Sequence, residues 1–355
     1  MRAFEHQSGA ERIVFGVGTL ARVGDELERL GGRRALVLST PGQSDLANRV
    51  LAHLSGTVAG VFSEAAMHTP VAVTEHALAR AKELHADSVV SVGGDSTTGL
   101  GKAIASRTGL PHLVLPTTYA GSEVTPVLGE TAAGEKVTRS GPEILPDTVI
   151  YDVELTLTLP WAMTVTSAVN AMAHSVEALY SHDRSEESDR MALDSIAALA
   201  QGLRDLHRDR HRVDARADLL YGAWLAGTCL GTVGMGLHHK LCHTLGGSFG
   251  LPHAETHTVV LPYVMEYNRP EATDAIQAAA SALDVSDAPG GLQALIRSWD
   301  GPASLAELGF SREDVDEAAE LATARPYPNP REVTRDGIAD LLSRATEGAW
   351  IGADR

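Results

Sequence analysis

The sequence has few of the features that mark secreted, disulfide-bonded or membrane-spanning proteins. Only two cysteines, Cys229 and Cys242, occur among 355 residues, which excludes a disulfide framework and a Cys-x-x-Cys metal site. The first residues, MRAFEHQSGAERIVFG, lack the apolar core of a signal peptide, and no apolar run is long enough to cross a bilayer. We therefore expect a cytoplasmic protein with two small buried cysteines. A nucleophilic Cys242, which directly precedes a histidine, is the alternative.

Positive charge is also scarce. The chain has 29 lysine and arginine residues against 46 aspartate and glutamate residues, a formal net charge of −17. Nucleic acids and anionic membranes are bound by clustered basic side chains, so this balance argues against both kinds of partner. It is compatible with a small anionic substrate, because salt screens charges beyond about 8–10 Å. Lys240, in a histidine-rich segment, can supply a local positive field.

The first part of the chain alternates apolar, strand-type runs with amphipathic helical segments. Such alternation is typical of a parallel sheet covered by helices on both faces. From about Thr164 onward, apolar residues recur at helical spacing with almost no strand signal. The strand-type runs are residues 34–40, 56–64, 87–94, 111–118 and 148–152.

This change of pattern predicts two domains. Residues 1–157 are expected to form an α/β domain with a parallel, Rossmann-like sheet. Residues 158–355 are expected to form an all-α domain. A chain of 355 residues with 44% hydrophobic content is long enough to bury the core of both.

Histidines are concentrated in one short segment, residues 237–257, with the sequence LHHKLCHTLGGSFGLPHAETH. His239 and His243 are four residues apart, so on a helix they share one face. His253 follows a Gly-Gly pair and a Leu-Pro pair, and these are expected to turn the chain back toward that face. Any one of these histidines taken alone is more often a solvated or packing residue than a functional one.

A second polar pair has the same spacing. Asn170 and His174 lie four residues apart in the apolar stretch VNAMAHSVEALY. Buried polar groups need partners, so two such pairs in apolar helices are unlikely to be unrelated. We predict that the two helical segments bring their imidazoles together as a catalytic site.

The α/β domain contains a candidate turn for binding phosphate. Gly93 and Gly94 come directly after a strand and before a helix, where backbone N–H groups and the helix N-terminus can receive a pyrophosphate. The spacing matches neither G-x-G-x-x-G nor the Walker A motif, and an ordinary tight turn is the alternative. The next strand ends in the hydroxyl-rich loop LPTTYAGSEVTP, residues 115–126, which can bind a nucleotide or cap a helix.

The end of the first strand-type run bears on cofactor choice. Dinucleotide-binding domains usually place an acidic residue there, on the adenine ribose. Ser39 and Thr40 stand at this position, so a 2′-phosphate would not be repelled. We therefore expect the protein to accept NADH or NADPH.

Several motifs together resemble the group III, iron-containing alcohol dehydrogenases. In chain order they are FGVG, VGGDS, LPTTYAGSEVTP, NAMAH, HHKLCHTLGG and LPHAETH. The phrases PTTYAGSE, LHHKLCHTLGGSF and LPHAETHT are most similar to the maleylacetate reductase branch. The resemblance implies a nicotinamide-binding α/β domain, a helical domain, an active site in the cleft between them and a homodimer. It also implies NAD(P)H-dependent reduction of maleylacetate to 3-oxoadipate in the degradation of aromatic compounds.

The same resemblance assigns residues to the cofactor. Asp95 is a departure, because relatives commonly have a third glycine there and a carboxylate would repel a pyrophosphate unless it turns outward. The assigned residues are Gly93, Gly94, Asp95 and Ser96 at the pyrophosphate, Thr117, Thr118 and Ser122 near the nicotinamide, and Lys136 near the ribose.

In metal-using relatives, an aspartate and a histidine four apart bind the ion together with two histidines fourteen apart. The matching residues here are Asn170, His174, His239 and His253, and His243 matches a histidine of the proton relay. An amide oxygen is a neutral and weaker ligand than a carboxylate, although three histidines can still hold zinc. We expect that no metal is required; if the site is occupied, the ligands are His174, His239 and His253.

The implied chemistry explains why a metal could be dispensed with. Hydride addition to the conjugated alkene of maleylacetate places charge on an enolate oxygen, which hydrogen-bond donors can stabilise. The expected catalytic residues are His174, His239, His243 and His253, and His243 supplies the proton. Asn170, Lys240, Tyr327 and Arg331 are candidates for binding the small dicarboxylate substrate; the last three could equally be surface or packing residues.

Three other functions stay open from the sequence. One is a metal-dependent dehydrogenase of a small alcohol or aldehyde on the same scaffold. Another is a carbocycle-forming or glycerol-type relative, against which Asn170 argues. The third is a binding protein without catalysis, against which the two histidine pairs argue.

Overall fold

The computed structural model describes residues 3–8, 11–54, 56–132 and 135–352. The chain divides into two compact units between Leu159 and Pro160, two residues after the predicted boundary. The first unit is built around a sheet and the second from helices. This confirms the predicted fold class, an α/β N-terminal part and an all-α C-terminal part.

The first unit contains a seven-stranded sheet. Its strands are β1 (Phe4–Ser8), β2 (Glu11–Gly16), β3 (Ala35–Leu38), β4 (Val58–Phe62), β5 (Ser88–Gly93), β6 (His112–Pro116) and β9 (Thr148–Asp152). Their order across the sheet is β1-β2-β9-β6-β5-β3-β4. Strands β1 and β2 pair antiparallel, and the other neighbouring strands pair parallel. The central strands β3, β5, β6 and β9 are buried along their whole length, as expected of apolar strands covered on both faces.

Four helices accompany these strands. They are α1 (Val23–Arg29), α2 (Ser44–His53), α3 (Val71–Glu83) and α4 (Asp95–Thr108). A separate antiparallel hairpin joins β7 (Val127–Ala132) to β8 (Glu135–Ser140). All five predicted strand-type runs contain a strand.

The sequence patterns did not predict four strands, namely β1, β2, β7 and β8. The sequences of β1 and β8, FEHQS and EKVTRS, are largely polar and carry no apolar signal. Strand β2, ERIVFG, begins with two charged residues, and only its last four residues are buried. Pairing with a neighbouring strand, and not apolar patterning, determines these elements.

His112 in β6 is a buried histidine of the sheet. Its Nε2 lies 2.8 Å from Ser91 Oγ in the adjacent strand β5. Burial, with a smaller contribution from the charge of Lys102, lowers the pKa of His112 to about 3. The imidazole is therefore neutral in the folded protein at ordinary pH.

The second unit contains nine α-helices among its described residues. Helix α5 is buried from Thr164 to Ala178 on all sides, as expected for a central helix whose sequence is apolar around its circumference. The helices are Trp161–Ala178, Glu186–Arg208, Val213–Thr232, Leu237–Phe249, His253–Asn268, Thr273–Ala282, Ala288–Ser298, Val315–Thr323 and Arg335–Glu347, numbered α5 to α13.

No single helix among the described residues is long and apolar enough to span a membrane. Helices α7 and α8 meet that criterion only as a pair, and they are bent by 96° at the break between them.

The turn between α8 and α9 lies later than predicted. Gly246 and Gly247 are inside α8, and the helix ends at Phe249. Gly250 follows in the left-handed conformation, with φ of 69°, which a glycine adopts without strain. Pro252 then precedes α9, so His253 is the first residue of that helix. The Gly-Gly pair was therefore wrongly assigned as the break.

We predict that His112→Gln reduces the acid sensitivity of the fold. Below pH 6.5 the unfolded chain binds a proton at His112 that the folded chain binds only near pH 3, so wild-type stability falls as pH falls. The loss is about 1.4 kcal/mol per pH unit. Urea unfolding at about pH 7 and about pH 5 should show wild type losing about 2 kcal/mol more than the variant. Exposed His53→Gln is the control, and equal losses in wild type and His112→Gln would contradict the prediction.

Candidate functional site

The predicted phosphate turn closes tightly at the end of β5. Gly93 has φ of 150°, and a Cβ at this position would lie 2.4 Å from Thr97 Oγ1. A Cβ at Gly94 would lie 3.0 Å from the side chain of Thr118. Threonine side chains therefore pack directly against both glycines, and the turn leads into the N-terminus of α4, the kind of position at which anionic groups bind.

The carboxyl ends of β3, β5 and β6 are linked by side chains. Gln43 Nε2 donates to Thr117 Oγ1 at 3.1 Å, and Thr40 Oγ1 donates to Gln43 Oε1 at 3.0 Å. Ser122 Oγ donates to the carboxylate of Asp95 at the start of α4. The predicted cofactor residues Thr40, Asp95, Thr117 and Ser122 therefore surround this end of the sheet. Gln43, which was not predicted as a site residue, connects Thr40 to Thr117.

Three predicted cofactor residues have a different or undescribed environment. Ser39 is fully buried, and its hydroxyl donates to Ser63 Oγ at 2.9 Å. Its side chain is therefore part of the interior of the unit. Ser96 is partly exposed in the first turn of α4. Lys136 lies in β8, where its backbone pairs with Thr131, but its side chain is outside the described part of the structure.

Lys102 is a further residue that the sequence analysis did not assign. It is buried in α4, and its Nζ donates to the carbonyls of Thr125 (2.7 Å), Val127 (3.0 Å) and Ser122. Burial lowers the pKa of Lys102 to about 7, against the opposing charges of Glu123 and other acids. The side chain ties the helix that follows the phosphate turn to the hydroxyl-rich loop.

In the helical unit, six imidazoles form one cluster. His174 Nδ1 lies 2.8 Å from His239 Nε2. The ring centroids of His239 and His243 are 6.3 Å apart, and those of His243 and His253 are 6.4 Å apart. The four predicted catalytic histidines are therefore brought together by α5, α8 and α9. The two histidines that were not predicted as site residues are His238 and His257.

Glu177 is the acidic member of this cluster. Its Oε2 lies 2.6 Å from His239 Nδ1, and its carboxylate accepts the backbone N–H groups of Gly236, His238 and His239. The side chain is fully buried. The sequence analysis missed it, although an acid three residues after His174 in an apolar helix is a usable signal.

His238 and His257 form a buried pair behind the cluster. His238 Nε2 lies 2.9 Å from His257 Nδ1, and Cys242 Sγ lies 3.7 Å from His238 Nε2. These are the only three metal-ligand-type side chains that converge within 4.8 Å among the described residues. Burial, followed by the neighbouring imidazoles, lowers the pKa of both histidines well below the usual value, so they are neutral. Cys242 is buried, as predicted, and burial raises the pKa of its thiol.

Two of the residues that would bind a divalent ion by resemblance, His174 and His239, are in direct contact. Both ring nitrogens of His239 are engaged, one by Glu177 and the other by His174. Asn170 is buried one turn before His174, and its Oδ1 accepts no hydrogen bond from the described residues. That oxygen is neutral, so the candidate ligand set consists of imidazole nitrogens and one amide oxygen and lacks an anionic member.

The candidates for a substrate carboxylate are not equivalent. Lys240 is partly exposed in α8, directly after His239. The Oη of Tyr327 is buried without a hydrogen-bond partner among the described residues, and burial raises its pKa. The guanidinium of Arg331 lies 4.3 Å from the ring centroid of Tyr267 and donates to its carbonyl. Tyr267 is ten residues beyond His257 in α9, about 15 Å along the helix, so Arg331 packs away from the imidazoles.

Family models match both units of the chain. The model of the iron-containing alcohol dehydrogenases matches residues 10–153. The model of the C-terminal part of the Fe-containing alcohol dehydrogenase family matches residues 164–346.

Individual relatives are similar over nearly the whole length. Maleylacetate reductase 1 of Rhodococcus opacus is 55% identical, and the match covers 95% of this chain and 94% of that protein. Maleylacetate reductase of Burkholderia cepacia is 51% identical, with coverage of 98% and 99%. The crystal structure of maleylacetate reductase from Agrobacterium tumefaciens matches with a TM-score of 0.93 and 52% identity, over 99% of this chain and 100% of that one.

We predict that Lys102→Met weakens dinucleotide binding as well as the fold. The variant leaves three loop carbonyls without their donor, which costs about 2–4 kcal/mol in the free energy of unfolding. The loosened loop should raise the Kd for NADH roughly tenfold, a loss of about 1.4 kcal/mol. Urea unfolding and NADH fluorescence titration measure the two effects. Exposed Lys82→Met is the control, and unchanged NADH affinity in Lys102→Met would show that the loop does not depend on this lysine.

Proposed function

Because this chain belongs to the iron-containing alcohol dehydrogenase family, we propose that it reduces maleylacetate to 3-oxoadipate with NADH or NADPH. One observation supports this particular reaction within the family. The imidazoles of His174, His239, His243 and His253 meet in the helical unit, while the position of the acidic metal ligand is taken by Asn170. Such a site suits a reaction in which hydrogen-bond donors replace a Lewis acid.

The proposed reaction is a conjugate reduction. NAD(P)H, when bound, supplies a hydride to the alkene carbon next to the substrate carboxylate. The two π electrons of the alkene shift toward the ketone, whose oxygen becomes an enolate. A proton is then added to the carbon next to the ketone, which restores the carbonyl and yields 3-oxoadipate.

The cofactor would be held by the first unit. The N-terminus of α4 and the turn at Gly93 and Gly94 offer backbone N–H groups to the pyrophosphate. The hydroxyls of Thr117 and Thr118 extend the site toward the nicotinamide half. No acid stands at Ser39 or Thr40, which is compatible with a 2′-phosphate.

The imidazole cluster would stabilise the enolate and complete the reaction. His253 and the Asn170 amide can donate hydrogen bonds to the substrate oxygens, and such donors can stabilise the charge of an enolate. His243 supplies the proton, since an imidazole is the side chain that titrates near neutral pH. His239 has no free nitrogen and supports His174. Lys240, which directly follows His239 in the sequence, is the remaining candidate cation for binding a substrate carboxylate.

We predict that the purified enzyme oxidises NADH in the presence of maleylacetate and keeps this activity in excess chelator. The expected change on adding chelator is less than twofold, because no step needs a Lewis acid. Absorbance of NADH gives the rate, and metal analysis of the same sample gives the occupancy. Loss of activity with chelator, restored by zinc or iron, would instead favour a metal-dependent dehydrogenase of small alcohols or aldehydes.

We predict that His243→Ala lowers kcat by roughly 10²- to 10⁴-fold, the usual contribution of a positioned general acid. The Kd for NADH should change less than twofold, because the cofactor residues lie in the other unit. Steady-state kinetics and NADH titration separate the two effects. Exposed His211→Ala is the matched control, and wild-type turnover in His243→Ala would rule out its role as the proton donor.

A further inference from the structure

A cavity of about 210 Å³ lies within the helical unit, between the second half of α9 and α13. It is separate from the imidazole cluster, because its lining residue Tyr267 is about 15 Å along α9 from His257. The proposed reduction of maleylacetate uses no side chain of this cavity.

One wall of the cavity is formed by large apolar side chains. Tyr263 and Tyr267 of α9 and Leu341 of α13 are buried there. Tyr263 Oη donates to the carbonyl of Ala349 at 2.8 Å, and Tyr267 Oη donates to the carbonyl of Glu332 at 2.6 Å. Both hydroxyls are therefore satisfied within the protein, and the two rings are held in place as flat packing surfaces.

Three arginines line the cavity, and one of them is already paired. The Nε and Nη2 atoms of Arg269 lie 2.8 and 2.7 Å from Oε2 of Glu266, which also lines the cavity. Its Nη1 donates to the carboxylate of Asp287. This guanidinium is therefore occupied and adds no net positive charge to the cavity.

The other two arginines, Arg331 and Arg344, form no ion pair with the described residues. The guanidinium of Arg331 is held 4.3 Å from the ring centroid of Tyr267, and its Nη1 donates to the carbonyl of the same residue at 3.0 Å. Arg344 is partly exposed in the last turn of α13. Since a guanidinium has several N–H donors, both arginines keep donors for a ligand.

One carboxylate opposes these two cations. Asp340 lines the cavity, is exposed, and lies one helical turn before Arg344. Two guanidinium groups and one carboxylate leave one net positive charge. The cavity therefore matches an anion with a single negative charge better than a dianion such as phosphate.

We propose that this cavity binds a small aromatic carboxylate. The carboxylate accepts hydrogen bonds from Arg331 and Arg344, since guanidinium and carboxylate groups match in shape and charge. The ring packs against Tyr263, Tyr267 and Leu341. An apolar cavity of about 150 Å³ is large enough for benzene, so about 210 Å³ accommodates such a ring with its carboxylate. The proposal concerns a second ligand site and does not depend on the reduction of maleylacetate.

Isothermal titration calorimetry of the full chain with benzoate tests the binding. Benzamide is the matched probe, because it has the same shape without the charge. We expect a Kd for benzoate of about 1 mM or tighter, which is attainable for a ligand of this size. Benzamide should bind at least roughly tenfold more weakly, because it cannot form charge-assisted hydrogen bonds. Absence of benzoate binding, or equal binding of the two probes, would overturn the proposal.

Substitutions locate the binding. Arg344→Met should raise the Kd for benzoate roughly 10- to 100-fold, the usual effect of losing a hydrogen bond to a charged group. Asp340→Asn, an exposed change, should lower the Kd roughly two- to fivefold, because it removes a like charge. Arg325→Met, an exposed change in the segment before α13, is the control. An unchanged Kd in Arg344→Met, or an equal rise in Arg325→Met, would rule out this cavity.

The imidazole cluster is the alternative location for benzoate, because its proposed substrate is also a carboxylate. Lys240→Met separates the two locations. The Kd for benzoate should stay within twofold in Lys240→Met while it rises in Arg344→Met. The opposite pattern would place benzoate at the cluster and overturn the proposal. None of these titrations uses the reaction, so a failure to reduce maleylacetate would count against the proposed function alone.

Discussion

The helical unit depends on a buried carboxylate that is satisfied entirely by donors. Glu177 joins α5 to the first turn of α8, and the same side chain holds the ring of His239. A buried charge without partners costs several kcal/mol, so the two helices and the imidazole have to keep their mutual positions for the fold to be stable. One interaction thus couples the stability of this unit to the geometry of its imidazole cluster.

The α/β unit contains the complementary case, a buried amino group whose N–H donors are satisfied by carbonyls. Lys102 holds the loop after β6 against α4, close in sequence to the glycine turn. In both units a buried ionisable side chain orders the backbone next to residues that are proposed to function, His239 in one and Ser122 in the other. Glu177 and Lys102 therefore differ from the groups that are proposed to contact the substrate, which are His243, His253 and Asn170.

Much of the fold was predictable because its signals are local. The buried strands β3, β5, β6 and β9 have apolar sequences, and the transition to helices is visible within a few residues of Leu159. The spacing of His239 and His243 likewise predicts a shared helix face. The polar strands β1 and β8 were missed, because strand pairing and not apolar patterning forms them. Gly246 was misassigned, because a glycine inside a helix costs only about 1 kcal/mol and does not have to end it.

The sequence alone determined the two-part architecture, the family and the residue types that can carry the chemistry, since these depend on periodicity and short motifs. Only the tertiary structure showed that His239 has no free nitrogen, that Arg331 packs on Tyr267, and that Glu177 and Lys102 hold their surroundings in place. These facts concern partners distant in the chain, such as Glu177 and His239, which are 62 residues apart. Hydrogen bonding depends on distance and direction in space, and neither follows from residue type or spacing along the sequence.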